Sequence, residues 1–287
     1  MTPLELPESL VSAAWLRDHL EHPQLVVFDA SWYMPAAQRN AREEWRSEQI
    51  KNARYFDFDQ TICDPDSELP HMMPDATRFT AEVQKLGLNR DSVAVVYDTQ
   101  GMFSSPRVWW MLRAMGFENC GILDGGLPAW KAGGYPLSNE AEASKVVPGN
   151  FVASPVASRS SDTNEVLAAI GDDAVTILDA RSSERFSGEA EEPRPGLRKG
   201  HMPGAINLPF TDLFSEGLMK SKSELKTIYG ELIPPDKHTI CSCGSGITAC
   251  VIAFGAHLVG YDDISVYDGS WCEWGQPGEL PVVSEYE

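Results

Sequence analysis

The chain is written twice. Leu25-Val26-Val27-Phe28, an apolar run that ends at Asp29-Ala30, has a counterpart in Val175-Thr176-Ile177-Leu178, which ends at Asp179-Ala180. Gln49–Ala53 corresponds to His201–Ala205, and each leads into a further apolar stretch. Val93–Asp98 corresponds to the run that ends at Cys243, so Asp98 stands opposite Cys243. Leu123–Trp130 corresponds to Tyr267–Trp274. Offsets of 150 residues from Asp29 to Asp179, 145 from Asp98 to Cys243 and 144 from Asp124 to Asp268 are nearly constant. A duplication with so long a period specifies two domains of one fold and excludes a solenoid of short repeats.

Within each copy, strand and helix signals alternate. Ser12 is the N-cap of a helix over Ala13 to Leu20, and Ser161 or Asp162 caps its counterpart through Val166, Leu167 and Ile170. Short β-branched apolar runs between helical patterns imply βα units around a mostly parallel sheet, with helices on both faces. The expected class is therefore α/β, in two similar domains. We place the first at 1–140, a Ser-, Ala- and Val-rich connection at 141–160 and the second at 161–287.

The stretch with chemical character is Lys237 to Gly255. Thr239-Ile240 leads as a strand into Cys243. Gly244-Ser245-Gly246 follows, and Ile247 to Leu258 reads as a helix apolar on nearly all sides. Strand, glycine loop and helix would set Cys243 at the carboxyl end of a strand, facing a helix N-terminus. Two glycines let successive N–H groups turn inward, and those amides with the helix dipole favour an anion. A thiol in that setting is expected to ionise readily and act as a nucleophile. The amides from Gly244 through Gly246 and Ile247 to Thr248 are the expected donors to an anion held there. In the first copy Asp98 replaces the thiol, so one catalytic loop per chain is expected.

Composition narrows the classes. The net charge of −19 disfavours nucleic acid and anionic membrane as partners. No apolar run reaches the roughly 18–20 residues that span a bilayer. Met1-Thr2-Pro3-Leu4-Glu5 has neither a basic start nor an apolar core, so no secretory signal is expected and the cytoplasm is the expected compartment. The six cysteines are expected as free thiols, with no Cys/His spacing suited to a metal. A monomer is the default oligomeric state.

The loop Cys243-Gly244-Ser245-Gly246-Ile247-Thr248-Ala249-Cys250, with Tyr267-Asp268-Gly269-Ser270-Trp271-Cys272-Glu273-Trp274-Gly275 downstream, resembles the active-site region of the 3-mercaptopyruvate sulfurtransferases. These are tandem rhodanese-domain enzymes, and the resemblance covers essentially the whole chain. It implies two rhodanese-like domains and a persulfide formed on Cys243. It also implies 3-mercaptopyruvate as sulfur donor, release of pyruvate, a thiol acceptor such as thioredoxin (or cyanide), and no cofactor.

In that family two arginines nine residues apart bind the donor, the first followed by Phe and the second within E-P-R-x-G. Arg185-Phe186 and Glu192-Pro193-Arg194-Pro195-Gly196 match residue by residue. Family members are proposed to protonate the pyruvate enolate with a loop serine, a His and an Asp. Ser245 matches, His71 in L-P-H-M-M-P matches, and Asp59 in F-D-F-D-Q is the nearest match, with Asp57 its rival. Arg107 matches a further motif and is expected to be structural. Arg181 and Arg198 are expected at the surface or in structural roles.

Two other readings stand beside this one. A thiosulfate sulfurtransferase keeps the Cys243 persulfide, but a dianionic donor calls for a cation in a loop where Gly244, Ser245 and Gly246 are uncharged. A non-catalytic rhodanese-like binding module keeps the fold and leaves the thiol inert. A cysteine phosphatase lacks the arginine it needs at Ala249.

Overall fold

The computed structural model describes residues 3–140, 145–234 and 236–286. Residues 141–144 of the expected linker, and the end residues Met1, Thr2 and Glu287 of the two expected domains, lie outside them. Two compact units are present. One comprises Met1–Pro65 with Met73–Val156, the other Asp66–Met72 with Ala157–Glu287.

Each unit is built on a five-stranded parallel sheet flanked by helices. In the first the spatial order is Leu10–Val11, Cys120–Leu123, Val93–Tyr97, Leu25–Asp29, Arg54–Tyr55. In the second it is Ser160–Ser161, Ile264–Tyr267, His238–Ser242, Val175–Asp179, Ile206–Asn207. The two orders are the same when the copies are aligned. The duplication seen in sequence is thus a duplication of topology.

Register makes the equivalence specific. Asp29 lies opposite Tyr97 and Asp179 opposite Ser242. The residues that follow, Asp98 and Cys243, therefore occupy one position at the carboxyl end of the third strand in that order. The central strands are buried along nearly their whole length, as expected where helices cover both sheet faces.

The outer helices are fixed by their caps. Ser12 accepts a hydrogen bond from the Trp15 amide at the start of Ala13–His19. Asp162, not Ser161, caps Thr163–Ala169, in a reciprocal capping box with Glu165. The helix after the cysteine begins at Ala249 and runs to Leu258, two residues later than its apolar pattern suggests. Gly246 has φ +76° and Thr248 takes the N-cap, so Ile247 and Thr248 belong to the loop. Ala249 to Ala256 are all buried, which is why the helix shows no polar face.

The tryptophans act as core residues that carry one polar handle. Trp130, Trp271 and Trp274 are fully buried, and their indole N–H groups donate to the carbonyls of Pro136, Arg198 and Pro281. Arg107 is buried in the first unit with its guanidinium 4.7 Å from the Trp110 ring centre.

Candidate active site

The loop is tied down by hydrogen bonds to the turn at Tyr267–Cys272. The Cys243 amide donates to Ser270 Oγ at 3.1 Å, and Ser270 Oγ donates to the Tyr267 carbonyl. The Cys243 carbonyl accepts from the Trp271 amide, and the Gly244 carbonyl accepts from the Cys272 amide at 2.8 Å. Cys250 Sγ lies 3.1 Å from the Gly246 carbonyl and braces the turn from the helix side. Among the described residues, the amides of Gly244, Ser245, Ile247 and Thr248 have no acceptor. Thr248 makes no side-chain cap either. A row of unpaired donors beside a buried thiol is a cradle for a negative group.

The first copy shows what such a cradle holds when it is filled. Asp98 is fully buried. Its Oδ1 accepts from the Gln100 amide at 2.8 Å, and its Oδ2 accepts from the amides of Ser104 and Ser105 at 3.0 and 2.8 Å. The Asp98 carbonyl accepts from Leu127, as that of Cys243 does from Trp271. One copy carries its anion covalently. The other leaves the donors for an anion that arrives.

Arginines bring charge to the second copy's loop. Arg185 sits on the short helix Ser183–Ser187, where Phe186 stacks on His201 with ring centres 3.8 Å apart. Its Nη2 lies 2.9 Å from the point that a Cβ on Gly244 would occupy, so the guanidinium rests on the residue after the cysteine. Glu192 holds it there through Nε at 3.2 Å and Nη2 at 2.5 Å. The same carboxylate accepts from Arg181 Nη1 at 2.8 Å. Arg181 is buried, bonds Asp179 through Nε and Nη2, donates to the Gly200 carbonyl and stacks 4.1 Å from the Trp271 ring centre.

Arg181 is thus structural and not at the surface. Arg198 is half-buried and donates to the carbonyls of Leu280 and Trp274. Arg194, also half-buried, approaches His71, with Nη2 3.4 Å from Nε2. A guanidinium only donates, so His71 Nε2 is the acceptor.

The second unit therefore brings together Cys243, Gly244, Ser245, Gly246, Ile247 and Thr248 with Arg185, and it places His71 beside Arg194. Asp59 belongs to the first unit, where it is half-buried and its Oδ2 accepts from Gln60 Nε2. Its rival Asp57 accepts from the Gln60 amide and the Thr61 hydroxyl and so is occupied in its own turn.

Three neighbours of the site escaped the sequence reading as functional groups: Arg181, Glu192 and Cys272. One signal was present. The repeat aligns Arg181 with Ser31, so a cation after the strand-end Asp that the two copies share occurs only in the copy with the thiol. Cys272 is buried, and burial pushes its thiol up to about 11, with Arg194 pulling the other way. Burial also holds Cys241 well above the ordinary thiol range. All six cysteines are unbridged.

Residues 12–133 and 162–277 each match the rhodanese-like domain family. The chain is 39% identical over 274 residues to the 3-mercaptopyruvate sulfurtransferase of Escherichia coli, covering 95% of this chain and 96% of that one. It is 38% identical over 298 residues to the mitochondrial thiosulfate/3-mercaptopyruvate sulfurtransferase 1 of Arabidopsis thaliana, covering 96% and 78%. The crystal structure of SseA from Escherichia coli, from the 3-mercaptopyruvate sulfotransferases, superposes with a TM-score of 0.82 at 36% identity, over 92% of this chain and 98% of that one. A duplicated parallel α/β fold with a single cysteine loop defines a two-domain sulfurtransferase. The chain belongs to the rhodanese-like sulfurtransferase family. No helix among the described residues is long and apolar enough to cross a membrane.

Proposed function

We propose that the chain moves the sulfur of 3-mercaptopyruvate to an acceptor through a persulfide on Cys243. The observation that supports this most is a thiol set under unpaired amides with a guanidinium seated on Gly244. Arg185 and Arg194 take the donor's carboxylate and carbonyl, since a guanidinium fork fits a carboxylate best. The Cys243 thiolate attacks the donor sulfur. A sulfur–sulfur bond forms, the carbon–sulfur bond breaks, and its electron pair becomes the pyruvate enolate, which the carbonyl stabilises.

The proton that the donor's thiol carried passes to the enolate's methylene carbon, so pyruvate departs and the persulfide remains as an anion. Ser245, polarised by His71, is the proposed route for that proton. The persulfide anion stays under the amides of Gly244 to Thr248 until a thiol such as thioredoxin, or cyanide, removes the outer sulfur. A monomer in the cytoplasm is the proposed setting.

Steady-state pyruvate release from 3-mercaptopyruvate with a thiol acceptor, run beside thiosulfate with cyanide, tests the reading. Preference for mercaptopyruvate, abolished in Cys243→Ser, is expected. Preference for thiosulfate would keep the persulfide and overturn the donor. Activity with neither would leave a binding module.

A further inference from the structure

Four charged side chains lie in one chain of contacts beside the loop, and a fifth stands apart from it. Asp179 pairs with Arg181, Arg181 with Glu192, and Glu192 with Arg185, while Arg194 stands beyond them next to His71. Two guanidiniums meet two carboxylates and balance them, and Arg194 adds one formal positive charge. Among these groups the position of Glu192 is unusual. Its side chain is 2% exposed, yet one carboxylate serves both the buried Arg181 and the half-buried Arg185. A carboxylate bonded to two nitrogens of the guanidinium that rests on Gly244 discounts the very charge that would attract an anion.

We propose that Glu192 sets the charge of the donor this site accepts. It holds Arg185 over Gly244, and it also lowers the positive potential there, so that a donor with one negative charge is matched and a dianion gains little. The proposal rests on the donor reading above and deepens it. It supplies a reason for discrimination that the uncharged loop alone leaves incomplete, because three arginines in the same unit would otherwise favour a dianion strongly. Removing the carboxylate charge raises the potential at the loop, and a dianion responds to a given potential twice as strongly as a monoanion. Glu192 is not a catalytic residue in this account. It acts through Arg185, as a positioning and specificity-determining group.

Glu192→Gln keeps an oxygen for Arg181 and Arg185 and removes the charge; Glu192→Asp keeps the charge and shortens the reach. We would measure kcat/KM for 3-mercaptopyruvate and thiosulfate in both variants. We would also measure how well sulfate and pyruvate slow alkylation of Cys243 by iodoacetamide, a readout that needs no turnover.

The expected result is a shift of about tenfold toward thiosulfate in the donor ratio of Glu192→Gln, and of similar size toward sulfate in the protection ratio. Glu192→Asp should leave both ratios within about twofold of the parent, whatever its absolute rate. Asp179→Asn removes the carboxylate that bonds Arg181 and should move both ratios the same way by less, which keeps the sign readable if Glu192→Gln does not fold. Equal losses with both donors and unchanged protection ratios would overturn the proposal and leave Glu192 a structural residue. A parent enzyme that ignores mercaptopyruvate would overturn the donor reading instead, while the protection ratio would still decide the role of Glu192.

Discussion

Arg185 occupies the space that a side chain on Gly244 would need: its Nη2 is 2.9 Å from the position of that missing Cβ. The end of an arginine can usually swing aside from so close a contact. Here Glu192, almost wholly buried, grips it through two nitrogens, so the guanidinium has little freedom to yield. Gly244 is thus a glycine for the sake of its neighbour, whereas Gly246, at φ +76°, is one for the sake of its own backbone.

Gly244→Ala is therefore expected to displace Arg185 by the order of an ångström and to lower kcat/KM for mercaptopyruvate by up to about a hundredfold. The thermal midpoint should fall as well, because Arg185 yields only by loosening its bonds to the almost wholly buried Glu192. Full activity in this variant would mean that Arg185 does not work from the position described.

Arg181 is the anchor of the same assembly. Replacing it with Ala leaves Asp179 buried without its cation and Glu192 with Arg185 alone, a change that costs about 3–5 kcal/mol. Lys supplies one compact charge in place of a flat fork and cannot serve Asp179, Glu192, the Gly200 carbonyl and the Trp271 face together. Urea unfolding should show both variants destabilised, Ala more than Lys. Equal stability of Arg181→Lys and the parent would show that the fork geometry is idle.

How much of this could be read from the chain differs by element. The parallel α/β class in two copies and the equivalence of Asp98 with Cys243 were legible, because each rests on local pattern or on spacing between copies. The start of the helix at Ala249 was not, since Ile247 and Thr248 suit a helix locally and only the turn at Gly246 excludes them. Arg181 and Glu192 were passed over for a deeper reason. Eleven residues apart on an irregular stretch, they meet only because the strand end at Asp179 and the loop near Glu192 converge, and composition shows a charge without showing its burial.

Asp98 offers a test of the plugged cradle. In Asp98→Ala the amides of Gln100, Ser104 and Ser105 lose their acceptor inside the protein, and each orphaned donor costs about 1–3 kcal/mol before any relaxation. Urea unfolding should show a loss of several kcal/mol, while sulfur transfer in the folded fraction persists. Asp98→Cys should not create a second active loop, because Ser31 stands where the other copy has Arg181. A stability loss under about 1 kcal/mol would mean that the plug is dispensable.

Asp29, the counterpart of Asp179, has no arginine beside it, and that absence gives the fold a pH dependence of defined sign. Its carboxylate is buried and leans on the Ser31 amide at 2.8 Å. Burial, partly offset by Ser31 and Tyr97, raises its pKa from the ordinary value of 3.8 to about 6. The folded state thus binds the proton more tightly than the unfolded chain. The favourable contribution is complete below about pH 4 and is lost as pH rises through about 6, for an overall effect of roughly 3 kcal/mol. Glu44 and Glu224, whose carboxyls are held below the usual range by Arg39 and Ser221, slope the other way, so the whole-protein curve mixes both signs. The difference between the parent and Asp29→Asn isolates one group. Between pH 4 and pH 7 the variant should gain stability relative to the parent, read as the change in urea midpoint across that range. A difference that stays constant over those three pH units would show that Asp29 ionises in the folded protein as it does in the unfolded one.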